Sequence, residues 1–236
     1  HNEEADIADR LGNLERACAG LPGCRVLVGD DGSDDRTAAI VEEWRKTHPQ
    51  VQLVRADRRG GKTAMLKRLV SAAGADPTAL LLFTDANTNF TADAIRKLIA
   101  WFADPRVGGV CGRLIFTGEH DEPEPENAYW HLETLLKKAE SRLDSCLGAN
   151  GALYAMRPSL FWRAIPDNTL VDDLVLGMKI REQGYRMVYE DAAVARERLP
   201  YRGDEWRRRV RIGMGDYQAL ILCRRCLAPR YGWFAW

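Results

Sequence analysis

Four groups of charged residues in this 236-residue sequence have the types and spacing to do chemistry. Asp30-Asp31-Gly32-Ser33 sets two carboxylates where they could accept hydrogen bonds from a base or a ribose, although Asp, Gly and Ser are equally ordinary turn residues. Asp85-Ala86-Asn87 puts two oxygen-bearing side chains at i and i+2, on one face of an extended chain. Such hard oxygen ligands suit Mg²⁺ or Mn²⁺ bridging a diphosphate, and the neutral Asn87 makes a weaker site than two carboxylates would. The bland alternative is an Asx turn. Val171-Asp172-Asp173-Leu174 offers a carboxylate that could act as general base, or two acids that only favour a helix start. Arg208 and Arg211, three apart, share a helical face from which guanidinium forks could clamp a pyrophosphate. A solvated basic helix is the alternative. No stacking aromatic array or nucleic-acid motif accompanies the arginines, so no nucleic-acid partner is expected.

Gly60-Gly61-Lys62-Thr63 competes with this grouping. A strand, this turn and a helix imitate a phosphate-binding P-loop, and Leu80 to Asp85 imitates the strand that follows one. The pattern demands a glycine where Ala56 stands. A P-loop nucleotide hydrolase is the second expectation.

The elements that must position these groups alternate between apolar runs and helical patterns, which predicts an α/β fold with a mostly parallel, Rossmann-like sheet flanked by helices. Val26 to Val28 reads as a strand ending at Asp30-Asp31, with Ser33 as N-cap of the next helix. Val51 to Val54 is a strand, Lys62 to Ala73 a helix, and Leu80 to Phe83 a strand ending at Asp85. A helix is predicted over 93–102, one or two strands over 107–116 and a helix over 129–143, after an acidic loop at 119–126. Beyond Gly148 the alternation fades into a Gly-rich segment, two short helices and a basic tail, read as a smaller acceptor-side lobe. Ligands of open α/β sheets bind beyond the carboxyl ends of the strands, where the acids at 30–31 and 85 lie.

Composition excludes little: 46% hydrophobic and 29% charged residues are ordinary for a globular chain. The net charge of zero hides a tail, residues 201–236, with eight arginines against three acids. Six irregularly spaced cysteines fit buried thiols, and Cys223-Arg-Arg-Cys226 lacks the second pair a zinc site needs. No run approaches the roughly 18 apolar residues of a spanning helix. The abrupt start at His1 and the aromatic finish, Tyr231 to Trp236, suggest a domain cut from a longer membrane protein.

Taken in order, HNEE, DDGSDDRT, GGKTAMLKRL, TDAN, GANGALYAM, DDLVLG and RRVRIGMGDYQ resemble family 2 glycosyltransferases of the GT-A fold. The likeness is strongest to the membrane-bound branch of cellulose, chitin and hyaluronan synthases. It covers essentially the whole chain as a single catalytic domain, with a nucleotide-sugar half at 1–105, an acceptor half at 106–219 and an interfacial tail at 220–236. The resemblance implies that Asn2, Glu3, Asp30 or Asp31, and Lys62 border the nucleoside, and that Asp85 opens the DxD motif, with Asn87, for Mg²⁺ or Mn²⁺. It also implies that Gly148, Ala149, Asn150 and Gly151 face the acceptor. Asp173, beside Asp172, becomes the base, while Arg208, Arg211 and Gln218 fall in the QxxRW region. Expected partners are a nucleotide-sugar donor with UDP as nucleotide, a saccharide or lipid-linked acceptor, and a membrane reached through missing flanking helices, with the domain at its cytoplasmic face. Three departures are visible: DxD is Asp-Ala-Asn, TED is Val-Asp-Asp, and the tryptophan of QxxRW is Ile212. They put processive synthesis in question and leave a catalytically dead sugar-binding module as a further alternative.

Overall fold

The structure, a computed structural model, describes residues 1–74, 76–118, 128–198 and 202–228. The acidic loop at 119–126 and the aromatic segment at 231–236 lie outside them. The chain opens with helix α1 (Ile7–Cys18), strand β1 (Val26–Asp30), helix α2 (Thr37–Arg45), strand β2 (Val51–Arg55) and helix α3 (Lys62–Ala73). Strands β3 (Leu81–Phe83) and β4 (Thr88–Phe90) flank Asp85, and helix α4 (Ala94–Ala100) follows. The second half contains β5 (Val107–Thr117), α5 (Ala128–Leu143), β6 (Tyr154–Met156), α6 (Asp172–Glu182), β7 (Arg186–Arg198) and α7 (Arg202–Leu222).

β1 and β2 pair in parallel, and the other five strands form one mixed sheet in the order β3-β6-β5-β7-β4. The expected α/β layering is therefore present. Its parallel part rests on the long β5–β7 and β1–β2 ladders, whereas β3–β6, β4–β7 and β5–β6 are short antiparallel pairings. β3 and β4 come from the first half of the chain and pair with strands of the second, so both halves share one sheet.

Apolar layers cover both faces. On one, Leu98, Val107, Val110 and Leu153 pack beneath α4. On the other, Met156, Leu176, Ile180 and Met187 bury α6. The approach of α6 requires glycine on β5: a Cβ at Gly109 would lie 2.5 Å from Ile180 Cδ1. A third cluster, Ile7, Leu11, Val41 and Val51, joins α1 and α2 to the β1–β2 pair.

Two local expectations are corrected. Ser33 is not an N-cap, because α2 begins at Thr37 and the Thr37 amide donates to Asp35 Oδ1 at 2.9 Å. Ser33 instead donates its amide to Asp30 Oδ1 and accepts from the Asn2 amide. The region beyond Gly148 is not two short helices and a tail: β6 and the 13-residue β7 complete the main sheet.

Candidate active site

The carboxyl end of β3 opens toward the first turn of α6, as the strand-end rule predicts, and that of β1 closes against loop 57–61. β1 delivers Asp30 and Asp31 into a tight turn. Asp30 is 1% exposed and carries the Ser33 amide on Oδ1, with Arg55 Nε 3.1 Å from Oδ2. Asp31 accepts the amides of Gly60 and Gly61, each at 2.8 Å. Gly32 lies at φ +70°, and a Cβ there would meet the backbone of Arg59 at 2.9 Å, so this turn closes against loop 57–61 only with glycine. Both Asp31 oxygens are thus engaged within the protein. The amides that would cradle phosphate in a P-loop are taken by a carboxylate, and the P-loop expectation fails on that geometry.

The chain start is fastened to the same turn. Asn2 exchanges side-chain and amide hydrogen bonds with Asp34, while the Glu3 and Glu4 amides donate to Thr37 and Asp35. Burial raises the pKa of Glu3, and nearby Asp6, Asp85 and Asp35 add to the effect. Asn2 and Glu3 accordingly stand beside the β1 turn, and Glu3 also feels the charge of Asp85.

The centre of the site is Gly151. A Cβ placed there would meet Lys62 Nζ at 3.2 Å, Asp85 Oδ2 at 3.3 Å and Asp173 Oδ2 at 3.4 Å. Residues from α3, the end of β3 and the first turn of α6 therefore converge on one small residue of the 148–151 loop. Lys62 Nζ donates to Asp85 Oδ1 at 2.7 Å. Partial burial opposes charge on this ammonium, but Asp85, Asp172 and Asp173 outweigh it and hold Lys62 protonated. Asp173 Oδ1 accepts the Leu174 amide, leaving Oδ2 toward Gly151. Asp172 is 4% exposed, its Oδ2 has no hydrogen-bond partner, and burial pushes its carboxyl up to about 6.

α6 reaches the loop through a glycine contact. A Cβ at Gly177 would sit 2.9 Å from Gly148 Cα and 3.0 Å from the Ala149 nitrogen. Asn150 braces the loop, with Nδ2 donating to Gly112 O at 2.6 Å and Oδ1 accepting the Leu153 amide. These groups line a cleft of about 600 Å³, which also includes Glu197, Arg208, Arg211 and a wall of Trp130, Leu136 and Leu147. A cleft of about 450 Å³ behind α1 and β2 brings no such charged groups together.

The other expected residues divide. Arg208 faces the cleft, stacked 5.1 Å over Phe116. Arg211 donates to Leu170 O, and Gln218 accepts the Leu170 amide while donating to Asn168 O. The latter pair holds the 168–170 segment just ahead of Asp172. Asn87 turns its amide nitrogen to Glu197 Oε1 at 3.1 Å.

Reading the motifs missed two residues. Arg10, 2% exposed, donates to Thr84 Oγ1 and Asn13 Oδ1 and lies over Phe90; burial lowers its pKa to about 9 although Asp85 opposes the shift. Glu197 comes from β7. The only available signal, an arginine on an amphipathic helix or an acid in a strand, is common in any sequence.

Residues 1–164 match the profile of glycosyl transferase family 2. The chain belongs to this family. It is 27% identical to the beta-monoglucosyldiacylglycerol synthase of Synechocystis sp., over 98% of this chain and 50% of that protein. It is 24% identical to a Staphylococcus aureus poly-beta-1,6-N-acetyl-D-glucosamine synthase, over 94% of this chain and 54% of that one. The chain thus spans about half the length of these curated relatives. Among solved structures, the Pyrobaculum calidifontis mannosyltransferase PcManGT, in complex with GDP-Man and Mn²⁺, aligns with a TM-score of 0.80 and 27% identity, covering 95% of this chain and 62% of that one. The fold is GT-A.

Asp85 Oδ2 is not the oxygen that holds Lys62, whose ammonium already stands as a cation beside this carboxylate. Among the described residues no three His, Cys, Asp or Glu side chains form a metal cluster. Hard oxygens in small number fit Mg²⁺ or Mn²⁺, which are commonly held by one or two carboxylates plus substrate phosphates.

Proposed function

We propose that this family 2 domain is an inverting, metal-dependent glycosyltransferase that moves a sugar from a nucleoside diphosphate to an acceptor hydroxyl. The observation that carries this is the convergence of Lys62, Asp85 and Asp173 on Gly151 within one cleft. The donor would lie across the first half, residues 1–105, and the acceptor would enter over the 148–151 loop from the second, 106–219.

In a single in-line displacement, Asp173 Oδ2 takes the proton of the acceptor hydroxyl as its oxygen bonds to the anomeric carbon. The bond from that carbon to the diphosphate breaks, and the electron pair leaves with the phosphate. Lys62 and Arg208 present positive charge where the leaving group becomes anionic, a placement that usually supplies the largest catalytic contribution. A divalent ion held at Asp85, beside Asn87, would add Lewis-acid stabilisation of the same oxygens. Retention of both Asp85 and Asp173 disfavours a dead sugar-binding module.

UDP is the nucleotide implied by the family resemblance, and GDP is the competing assignment from the mannosyltransferase bound to GDP-Man. The curated relatives support a role in glycolipid or polysaccharide synthesis. A lipid-linked acceptor is further supported by the apolar side chains that α5 and α7 expose, among them Leu136, which lines the cleft, Met214 and Ile221; the cytoplasmic face of a membrane is what the family resemblance implies.

Calorimetric titration of UDP, GDP and ATP with Mn²⁺ and then with EDTA tests the donor site. Metal-dependent binding of UDP or GDP, with ATP excluded, is expected. Asp173→Asn should lower kcat by about 10²–10⁴-fold, the usual contribution of a general base, with donor affinity retained. Near-normal turnover in that variant would reject Asp173 as the base.

A further inference from the structure

The second position of the DxD motif is the neutral Asn87, yet a carboxylate stands beside it. Glu197 lies 110 residues away in sequence, and its Oε1 accepts the Asn87 Nδ2 hydrogen at 3.1 Å. The sheet fixes this meeting: in the antiparallel β4–β7 ladder Glu197 is the partner of Thr88, the residue after Asn87. A slip of one residue would turn Glu197 to the opposite face.

Glu197 lines the same cleft as Lys62, Asp85 and Asp173. Burial raises its pKa; Arg208 lowers it again, Asp85 adds to the rise, and Asn87 and Lys62 oppose it. The cleft wall also contains Asp172, whose Oδ2 is buried without a partner. The cleft lining thus carries seven carboxylates, Asp85, Asp172, Asp173 and Glu197 among them, against four cations, Lys62, Lys137, Arg208 and Arg211, and one buried carboxylate oxygen has nothing to accept. That imbalance is what a divalent cation would correct.

We propose that Glu197 supplies the carboxylate that the Asp85-Ala86-Asn87 motif lacks, so that a divalent cation is held between Asp85 and Glu197 and completed by the diphosphate. Asn87 then serves chiefly to hold Glu197 in place. The anionic ligand has moved from the loop after β3 to the facing strand, and the sheet register maintains its position. This proposal rests on the metal-dependent reading of the site above.

The test is Mn²⁺ binding rather than turnover. The loss of the free Mn²⁺ electron paramagnetic resonance signal would be followed on titration into protein with UDP, and separately with GDP. Glu197→Gln keeps the acceptor for Asn87 and removes only the charge. Changes in the second coordination shell alone cost about 10–100-fold in metal affinity, so losing a direct ligand should cost at least about tenfold. The double variant Asn87→Asp with Glu197→Gln restores an acid at the motif position and should recover most of the affinity. Thermal melting of each variant checks that the fold persists. Unchanged Mn²⁺ affinity in Glu197→Gln, with loss in Asp85→Asn, would overturn the role of Glu197 and leave the metal reading standing. Absence of Mn²⁺ binding by the unaltered protein with either nucleotide would overturn both.

Discussion

At the scale of single residues, the site depends on charged groups held close together by the smallest side chain. Gly151 leaves room for Lys62, Asp85 and Asp173 to share one corner. Asp172 carries the cost of that crowding, because burial and the neighbouring Asp173 and Asp85 raise its carboxyl to about 6 from an ordinary value of 3.8, with Lys62 opposing the shift. A carboxyl raised on folding stabilises the protein below its unfolded pKa, and that contribution is lost as pH rises through the folded value. Between pH 5 and 7 the unaltered domain should therefore lose about 1 kcal/mol relative to Asp172→Asn. Urea unfolding at the two pH values measures this, and equal pH dependence in both proteins would contradict it. Asp85, Asp173 and Lys62 were legible in sequence because they sit in short motifs at element ends. Arg10 and Glu197 were not, since their partners, Thr84 and Asn87, lie 74 and 110 residues away and only folding reveals the pairing.

At the scale of elements, legibility followed the strength of the local pattern. α3, expected from Lys62 to about Ala73, spans Lys62–Ala73, because Gly61 and Gly74 bracket it with φ values of +92° and +87°. β4 and β6 have three residues each, too few for a period to show. β7 is long, but charged residues such as Glu190, Asp191, Arg196 and Glu197 break its apolar alternation, and of these Glu197 serves the cleft. The Ser33 cap was misjudged for a different reason: the chain start, 31 residues upstream, claims its hydroxyl. α6 carries its two acids to the loop only because Gly177 meets Gly148 and Ala149 backbone to backbone. Gly177→Ala has no flexible neighbour to displace, and overpacking of this kind costs about 1–3 kcal/mol. Chemical denaturation should show that loss, and turnover should fall as Asp173 is pushed from Gly151.

At the scale of the whole molecule, the apolar surface is unevenly distributed. Among the described residues, every exposed large apolar side chain except Trp101 and Leu147 lies on α5 or α7. On α7, Trp206, Val210, Met214, Tyr217 and Ile221 recur at helical spacing, with Arg207, Arg224 and Arg225 also exposed on or just after the helix. Such a face suits a bilayer with anionic headgroups. Burial of each large side chain is worth about 1.5–3 kcal/mol, so Met214→Glu with Ile221→Glu should reduce co-sedimentation with phosphatidylserine vesicles more than tenfold. Failure of the unaltered domain to sediment with them would reject a membrane-facing role for these helices. No described helix is long and apolar enough to cross a membrane. The grip of Asp31 on the Gly60 and Gly61 amides also acts at this scale. The turn before α3 keeps its own anion in place, tethered and impossible to wash out, so a stray phosphate arriving there meets a lock already holding its key. Discrimination against triphosphates would then be a property of the resting architecture, present before any donor arrives, and abandoning it would take the loss of a single carboxylate.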